Sequence, residues 1–265
     1  MDMPLNQFKR ALKAGETQIG LFLGLANAYA AEVVGTAGFD WLLIDGEHGP
    51  NDLRSIIAQL QALAQYPVRP VVRTVDHDVA RIKQLLDGGA QTLMVPMVET
   101  ADEARALVQA MRYPPHGIRG VGTALARAAR WNGVEGYFAK ADEEMCLIVQ
   151  IESTAGLAGL DEILTVDGVD AVFIGPSDLA ASMGYLGNPG HPAVKAAVEG
   201  ALKKIAAAGK AAGVFSADPA IAAGYKAIGA SFLLVGVDAL LLRNASVALA
   251  AKFKEAESGK AGASY

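Results

Sequence analysis

Eight short runs rich in Val, Ile and Leu, separated by longer Ala-rich amphipathic stretches, recur along the whole chain and leave it few folds. Such alternation reads as repeated βα units. Runs that are apolar at every position, as in Trp41-Leu42-Leu43-Ile44 and Phe232-Leu233-Leu234-Val235, read as strands of a parallel sheet covered on both faces. The runs occupy residues 19–25, 40–45, 70–74, 92–97, 147–152, 171–175, 213–216 and 232–237. Eight units in 265 residues are what a (β/α)₈ TIM barrel requires. A doubly wound open sheet is the alternative, but no GxGxxG follows the first run.

Helical patterns cover 52–65, 78–87, 101–113, 193–208 and 218–228, and several stop at glycine, as at Gly88-Gly89 and Gly209, where a helix end favours a left-handed residue. The stretch 113–139 is longer than an ordinary βα connection, which predicts a functional loop or a subunit contact. One barrel domain is expected over 1–256, followed by a flexible Gly-, Ser- and Ala-rich tail at 257–265.

With 52% hydrophobic and 19% charged residues the chain buries a full core, which excludes disorder as its main state. Lys and Arg number 23 against 28 Asp and Glu, a net charge of −5 with no block of like charges. Nucleic acid and membrane surfaces are therefore disfavoured as partners. The one cysteine, Cys146, sits inside an apolar run and reads as a small buried hydrophobe. The N-terminal stretch lacks the apolar core of a signal peptide and no apolar segment is long enough to span a bilayer, so a cytoplasmic protein is expected.

Barrel enzymes carry their chemistry at the C-terminal ends of the strands, so polar residues that end an apolar run are the candidates. These are Asp45, Glu47 and His48; Arg73; Gln150 and Glu152; Gly175-Pro176-Ser177-Asp178; and Asp238. Glu152 and Asp178 offer hard oxygen ligands for a divalent cation. The structural alternative makes Asp178 the cap of a helix opening at Leu179 and puts Glu152 in the first turn of another. His48, in an exposed turn, suits a general base, or is only a solvated loop residue. Arg73 ends an apolar strand, where a buried guanidinium must meet a carboxylate or an oxyanion; its structural competitor is an ion pair with a neighbouring Asp or Glu, Asp45 being one candidate. His77, His116 and His191 read as loop histidines. No lysine ends a run, which disfavours a Schiff base, and no Gly-x-Ser-x-Gly elbow occurs.

The segments WLLIDGEHGPND (41–52), PVVRT (70–74), IKQLLDGGAQTLMVPMV (82–98), YPPHGIRGVG (113–122), VQIES (149–153) and VFIGPSDLAASMGYLGNPGHP (172–192) strongly resemble the metal-dependent class II pyruvate aldolases. Likeness runs from about Phe8 to about Phe253 and is greatest to the branch that cleaves 4-hydroxy-2-oxoheptanedioate in homoprotocatechuate degradation. The resemblance implies a barrel of the phosphoenolpyruvate/pyruvate type whose last helix is exchanged with a neighbour, in a homo-hexamer built as a trimer of dimers. It also implies a divalent ion, Mn²⁺, Co²⁺ or Mg²⁺, on Glu152 and Asp178, with His48 as base and Arg73 as enolate stabiliser. Gln150, Ser177, Asp178, Gly175 and Phe22 become substrate-contacting positions, with Asp45 behind them. Asp87 becomes the partner that raises the basicity of His48, although its place before Gly88-Gly89 puts it at the opposite face of the barrel.

The implied reaction is reversible retro-aldol cleavage of 4-hydroxy-2-oxoheptanedioate to pyruvate and succinic semialdehyde, with 2-keto-3-deoxy sugar acids as the alternative substrates. Arg119 or Arg127 in the long loop could meet a distal carboxylate, and a subunit salt bridge explains either arginine equally well. The chain departs from the family pattern at Phe22, where tryptophan is frequent, at Gly49 and Ser177, where alanine is, and at Ser153, where threonine is. Two competing readings are a phosphate-binding barrel and a catalytically silent assembly protein. Acids in the turns after the last two runs oppose the first, and the intact His48, Arg73, Glu152 and Asp178 oppose the second.

Overall fold

Every apolar run becomes a strand in the computed structural model, which describes the backbone of residues 1–261 and the side chains of 1–254. The strands are β1 (Gln18–Leu23), β2 (Trp41–Asp45), β3 (Arg69–Arg73), β4 (Thr92–Val95), β5 (Cys146–Ile151), β6 (Ala171–Ile174), β7 (Ala211–Phe215) and β8 (Ala230–Val237). They pair in parallel in chain order, and β8 closes on β1. The closed barrel bears out the (β/α)₈ reading and excludes the open sheet.

Around it run α1 (Gln7–Lys13), α2 (Ala28–Gly35), α3 (Leu53–Leu63), α4 (Val79–Asp87), α5 (Ala101–Met111), α6 (Tyr137–Glu144), α7 (Thr154–Leu164), α8 (Pro176–Ser182), α9 (Pro192–Ala207), α10 (Pro219–Ala227) and α11 (Asp238–Ala261). Asp52, Asp78 and Asp218, expected as first helical residues, are instead N-caps whose carboxylates accept main-chain N–H bonds. Gly89 and Gly209 follow their helices with φ of +104° and +74°, as their positions demanded.

Two cores follow from strand alternation. Outward-facing Leu42, Ile44, Val72, Leu93, Leu147 and Val149 pack under the helices. Inward-facing Trp41, Leu43, Val71, Met94, Ile148, Phe173 and Phe232 fill the barrel. Phe8 and Leu12 of α1 join that inner cluster, the Phe8 ring lying tilted 5.3 Å from Trp41 and edge-on 5.9 Å from Phe232. Because α1 precedes β1 and strands enter the barrel at that end, this stopper leaves the C-terminal mouth open.

The stretch 113–139 holds a cis Pro114–Pro115 bond, a 3₁₀ turn at Arg127–Ala129, left-handed Arg130, Trp131 and Asn132, and the start of α6. Ile118, Val121, Leu125 and Trp131 are all exposed on it. On α11 every residue from Ala239 to Lys254 is exposed. Among the described residues no helix is long and apolar enough to cross a membrane. The expected tail at 257–265 falls partly on residues 262–265, outside the described residues.

Candidate active site

Register places Asp45, the last residue of β2, beside Arg73, the last of β3. Arg73 Nε and Nη2 donate to the two oxygens of Asp45 at 2.8 and 2.7 Å, and Nη1 lies 2.9 Å from Glu47 Oε2. The ion pair weighed as the structural competitor is therefore present. Hydrogen bonding to Asp45 engages two of the five N–H bonds of the guanidinium, and the Glu47 contact is one of charge alone, which leaves donors for an oxyanion. The Phe22 ring covers that group 5.1 Å from the guanidinium carbon, with Phe215 packed against Phe22 at 6.0 Å between ring centroids. Burial alone would raise the Asp45 carboxyl. The Arg73 hydrogen bonds and charge, with the N–H groups of Glu47 and His48, outweigh it and hold Asp45 below its ordinary value.

Burial pushes the Glu47 carboxyl up, aided by the charges of Asp45 and Asp178 and opposed by Arg73 and His48. His48 stands at the rim with its side chain 68% exposed and Nε2 3.8 Å from Glu47 Oε2. Across the mouth, Glu152 follows β5 and is buried. Its Oε1 accepts the Met97 N–H at 3.1 Å, and its Oε2 accepts from Gln150 Nε2. Burial also raises the Glu152 carboxyl; the Gln150 and Met97 hydrogen bonds oppose this, and the charges of Glu47 and Asp178 add to it. A Cβ on Gly175 would overlap the Glu152 carboxylate and force it to shift.

Neither structural alternative for the carboxylate pair survives. The α8 helix starts at Pro176 with Gly175 as N-cap, so Asp178 lies in its first turn and does not cap it. Ser153 caps α7, so Glu152 stands outside that helix. Both Ser177 and Asp178 are exposed to the mouth.

The donor set fits a hard divalent cation on two grounds. The charge of Asp178 raises the proton affinity of both Glu47 and Glu152, that of Glu47 adds to it at Glu152, and Gln150 Oε1 is buried with no hydrogen-bond partner. Among the described residues no group of three or more His, Cys, Asp or Glu side chains gathers around one point. A cation here would thus rest on two protein carboxylates and draw other oxygens from elsewhere.

Asp238 stands at the mouth but is engaged by main chain, and Asp87, Arg119 and Arg127 lie away from it. Asp238 accepts the N–H groups of Gly24, Leu25 and Ala239, tying the end of β1 to the start of α11. Asp87 is the last residue of α4, and a helix antiparallel to the strands ends at the N-terminal face. There it accepts from Arg119 Nη2 at 2.8 Å, and Arg127 Nη1 donates to the Gly88 carbonyl at 3.1 Å. Within one chain, then, neither Asp87 nor the two arginines reaches His48. A cavity of about 520 Å³ also opens at that face, between Lys9, Arg10 and Lys13 of α1 and Glu143 and Glu144 of α6; none of the strand-end groups lines it.

One contributor escaped the sequence reading: Met97 supplies only a main-chain N–H, which no side-chain pattern announces.

The HpcH/HpaI aldolase/citrate lyase family model matches residues 18–245. The chain is 61% identical over 254 residues to a hydroxypyruvate/pyruvate aldolase of Pseudomonas aeruginosa, covering 96% of this chain and 95% of that one. It is 60% identical over 248 residues to a 4-hydroxy-2-oxo-heptane-1,7-dioate aldolase of Salmonella arizonae, covering 94% of each. Among solved structures, an HpcH/HpaI aldolase/citrate lyase family protein from Burkholderia cenocepacia matches with a TM-score of 0.90 and 39% identity, over 94% of this chain and 99% of that one.

Proposed function

The chain belongs to the HpcH/HpaI aldolase/citrate lyase family and is an aldolase, and from that premise we propose that it is a divalent-metal-dependent lyase of 4-hydroxy-2-oxoacids. The proposed main reaction is reversible cleavage of 4-hydroxy-2-oxoheptanedioate to pyruvate and succinic semialdehyde. The observation that carries this reading is the convergence of a buried carboxylate, Glu152, with Asp178, Arg73 and His48 at the open mouth of the barrel.

Glu152 and Asp178 would hold the cation, Mn²⁺, Co²⁺ or Mg²⁺. When bound, it supplies Lewis acidity that draws electron density toward the substrate's 2-oxo group. His48 takes the proton of the 4-hydroxyl, the C3–C4 bond breaks, and its electron pair passes into the pyruvate enolate as the aldehyde leaves. Arg73 donates to the enolate oxygen until C3 is protonated. Asp45 and Glu47 already hold its guanidinium plane, so little reorganisation accompanies the charge shift. One fixed donor at such an oxygen is worth about 3 to 4 kcal/mol. Gln150, Ser177, Gly175 and Phe22 shape the pocket for the pyruvyl end.

Asp87 can serve His48 only from another copy of the chain. The exposed apolar residues of α11 and of 113–139 support a homo-oligomer, read here as a hexamer with the last helix exchanged between single-barrel subunits.

The test is a retro-aldol assay coupled to pyruvate detection. The panel holds 4-hydroxy-2-oxoheptanedioate and 2-keto-3-deoxy sugar acids, with hydroxypyruvate added as a donor in the reverse direction because the Pseudomonas relative bears its name. Cleavage of the first substrate should be fastest, should vanish with chelator and should return with Mn²⁺, Co²⁺ or Mg²⁺. Full turnover in metal-stripped protein, or a borohydride-trapped pyruvyl adduct, would overturn the metal-dependent reading.

A further inference from the structure

The turn that leaves β4 is clamped at four consecutive residues. The Pro96 carbonyl accepts from His77 Nε2 at 2.8 Å, the Met97 N–H donates to Glu152 Oε1 at 3.1 Å, the Val98 N–H donates to the Gln150 carbonyl at 3.1 Å, and Glu99 Oε1 accepts from Ser153 Oγ at 2.5 Å. On the other side, α7 crosses the same backbone so closely that a Cβ on Gly156 would stand 2.9 Å from the Val98 carbonyl oxygen, and one on Gly159 would overlap that of Glu99. Met97 has φ of +54°, a left-handed conformation that is uncommon for any residue with a side chain. Its side chain is half exposed, so packing of that side chain does not account for the strain. What the conformation achieves is local: successive N–H groups, from 97 and 98, both turn toward the end of β5. Strain that the surrounding structure enforces is a mark of a functional constraint.

Resting on the reading of Glu152 as a cation ligand, we propose that Met97 is a positioning residue: its left-handed main-chain amide fixes Oε1 of Glu152 and so presents the carboxylate to the metal in one orientation. Gln150 Nε2 holds the other oxygen, so each retains lone-pair capacity for a ligand bond while the side chain loses its freedom to rotate. A carboxylate ordered in advance gives up less entropy on binding, and partners of this kind commonly change metal affinity about 10- to 100-fold.

The experiment titrates Mn²⁺ alone into the metal-stripped, assembled, full-length protein by calorimetry, with the melting temperature recorded for each variant. Glu152→Gln should lose tight binding. Met97→Gly keeps the amide and suits the positive φ, so its affinity should stay within about threefold of wild type. Met97→Ile places a β-branched side chain where φ is positive, displaces the amide, and should weaken binding about 10- to 100-fold. If the isoleucine variant fails to fold, His77→Leu replaces it, since it removes the donor to Pro96 and leaves Met97 intact; His77→Gln, which retains a donor, should restore affinity. A folded Met97→Ile or His77→Leu protein that binds Mn²⁺ like wild type, or a glycine variant as weak as the isoleucine one, overturns the proposal. Wild-type affinity in Glu152→Gln overturns the underlying ligand assignment instead, and the positioning role with it.

Discussion

Arg73 tests how far a residue's role can be separated from its packing. Its guanidinium is buried, forked onto Asp45, bridged to Glu47 and capped by Phe22, so a lysine at this position keeps the charge and loses the plane. For Arg73→Lys the expected outcome is a fall in kcat of about 100-fold or more, with kcat/KM falling alongside, because the proposed interaction is with the enolate-like transition state. Steady-state kinetics on a 4-hydroxy-2-oxoacid check this. A rise in KM alone would make Arg73 a binding residue, and a loss of melting temperature with kcat intact would leave it a structural ion pair. At this scale Asp45, Arg73, Gln150 and Glu152 were legible because each is a polar side chain ending an apolar strand. Met97 was not, since its contribution is a main-chain N–H and a backbone angle. Asp87 was legible in position but not in partner: its place before two glycines gave the N-terminal face, while Arg119 reaches it from a loop 32 residues away.

Strands were easier to place than helices because continuous apolarity marks both faces of a buried strand at once. All five residues of β2 and all six of β5 are buried. The α6 helix was missed because it starts at a left-handed Gly136 with no side-chain cap, so its first turn carries no N-terminal signal. Glycines make the same point energetically. In β7, Gly213 faces the Phe232 ring, and a Cβ there would overlap the ring carbons; in α9, Gly200 has open space around the corresponding position. Gly213→Ala should destabilise the barrel by about 1 to 3 kcal/mol through overpacking, whereas Gly200→Ala should stabilise it by about 0.5 to 1 kcal/mol by restricting the unfolded chain. Denaturant midpoints of the two variants decide it. Equal effects in sign would mean that the aromatic filling of the barrel yields more easily than the Gly213 geometry implies.

For the whole molecule the outstanding feature is α11, which leaves the barrel after Asp238 and exposes Leu240, Leu241, Leu242, Val247, Leu249 and Phe253, each by half or more. Three consecutive leucines point to different sides of a helix, and a helix apolar on several sides is one that other elements surround. A lone barrel supplies no such surroundings, and water penalises the exposed area at roughly 25 cal/mol per Å². The proposed exchange of the last helix would bury this face against another copy. The variant that tests this must leave Asp238 untouched, because its carboxylate also holds the Gly24 and Leu25 N–H groups. Leu241→Asp combined with Leu249→Asp meets that condition and places charge where the partner must pack. Sedimentation velocity should show the wild type as a hexamer and the double variant as smaller species at equal concentration, with far-UV circular dichroism of the barrel retained. If Asp87 reaches His48 only across that assembly, the smaller species should also lose kcat while keeping its Mn²⁺ affinity, since Glu152 and Asp178 belong to one chain. An unchanged mass would free α11 from the interface, and full activity in a monomer would remove Asp87 from the base's environment.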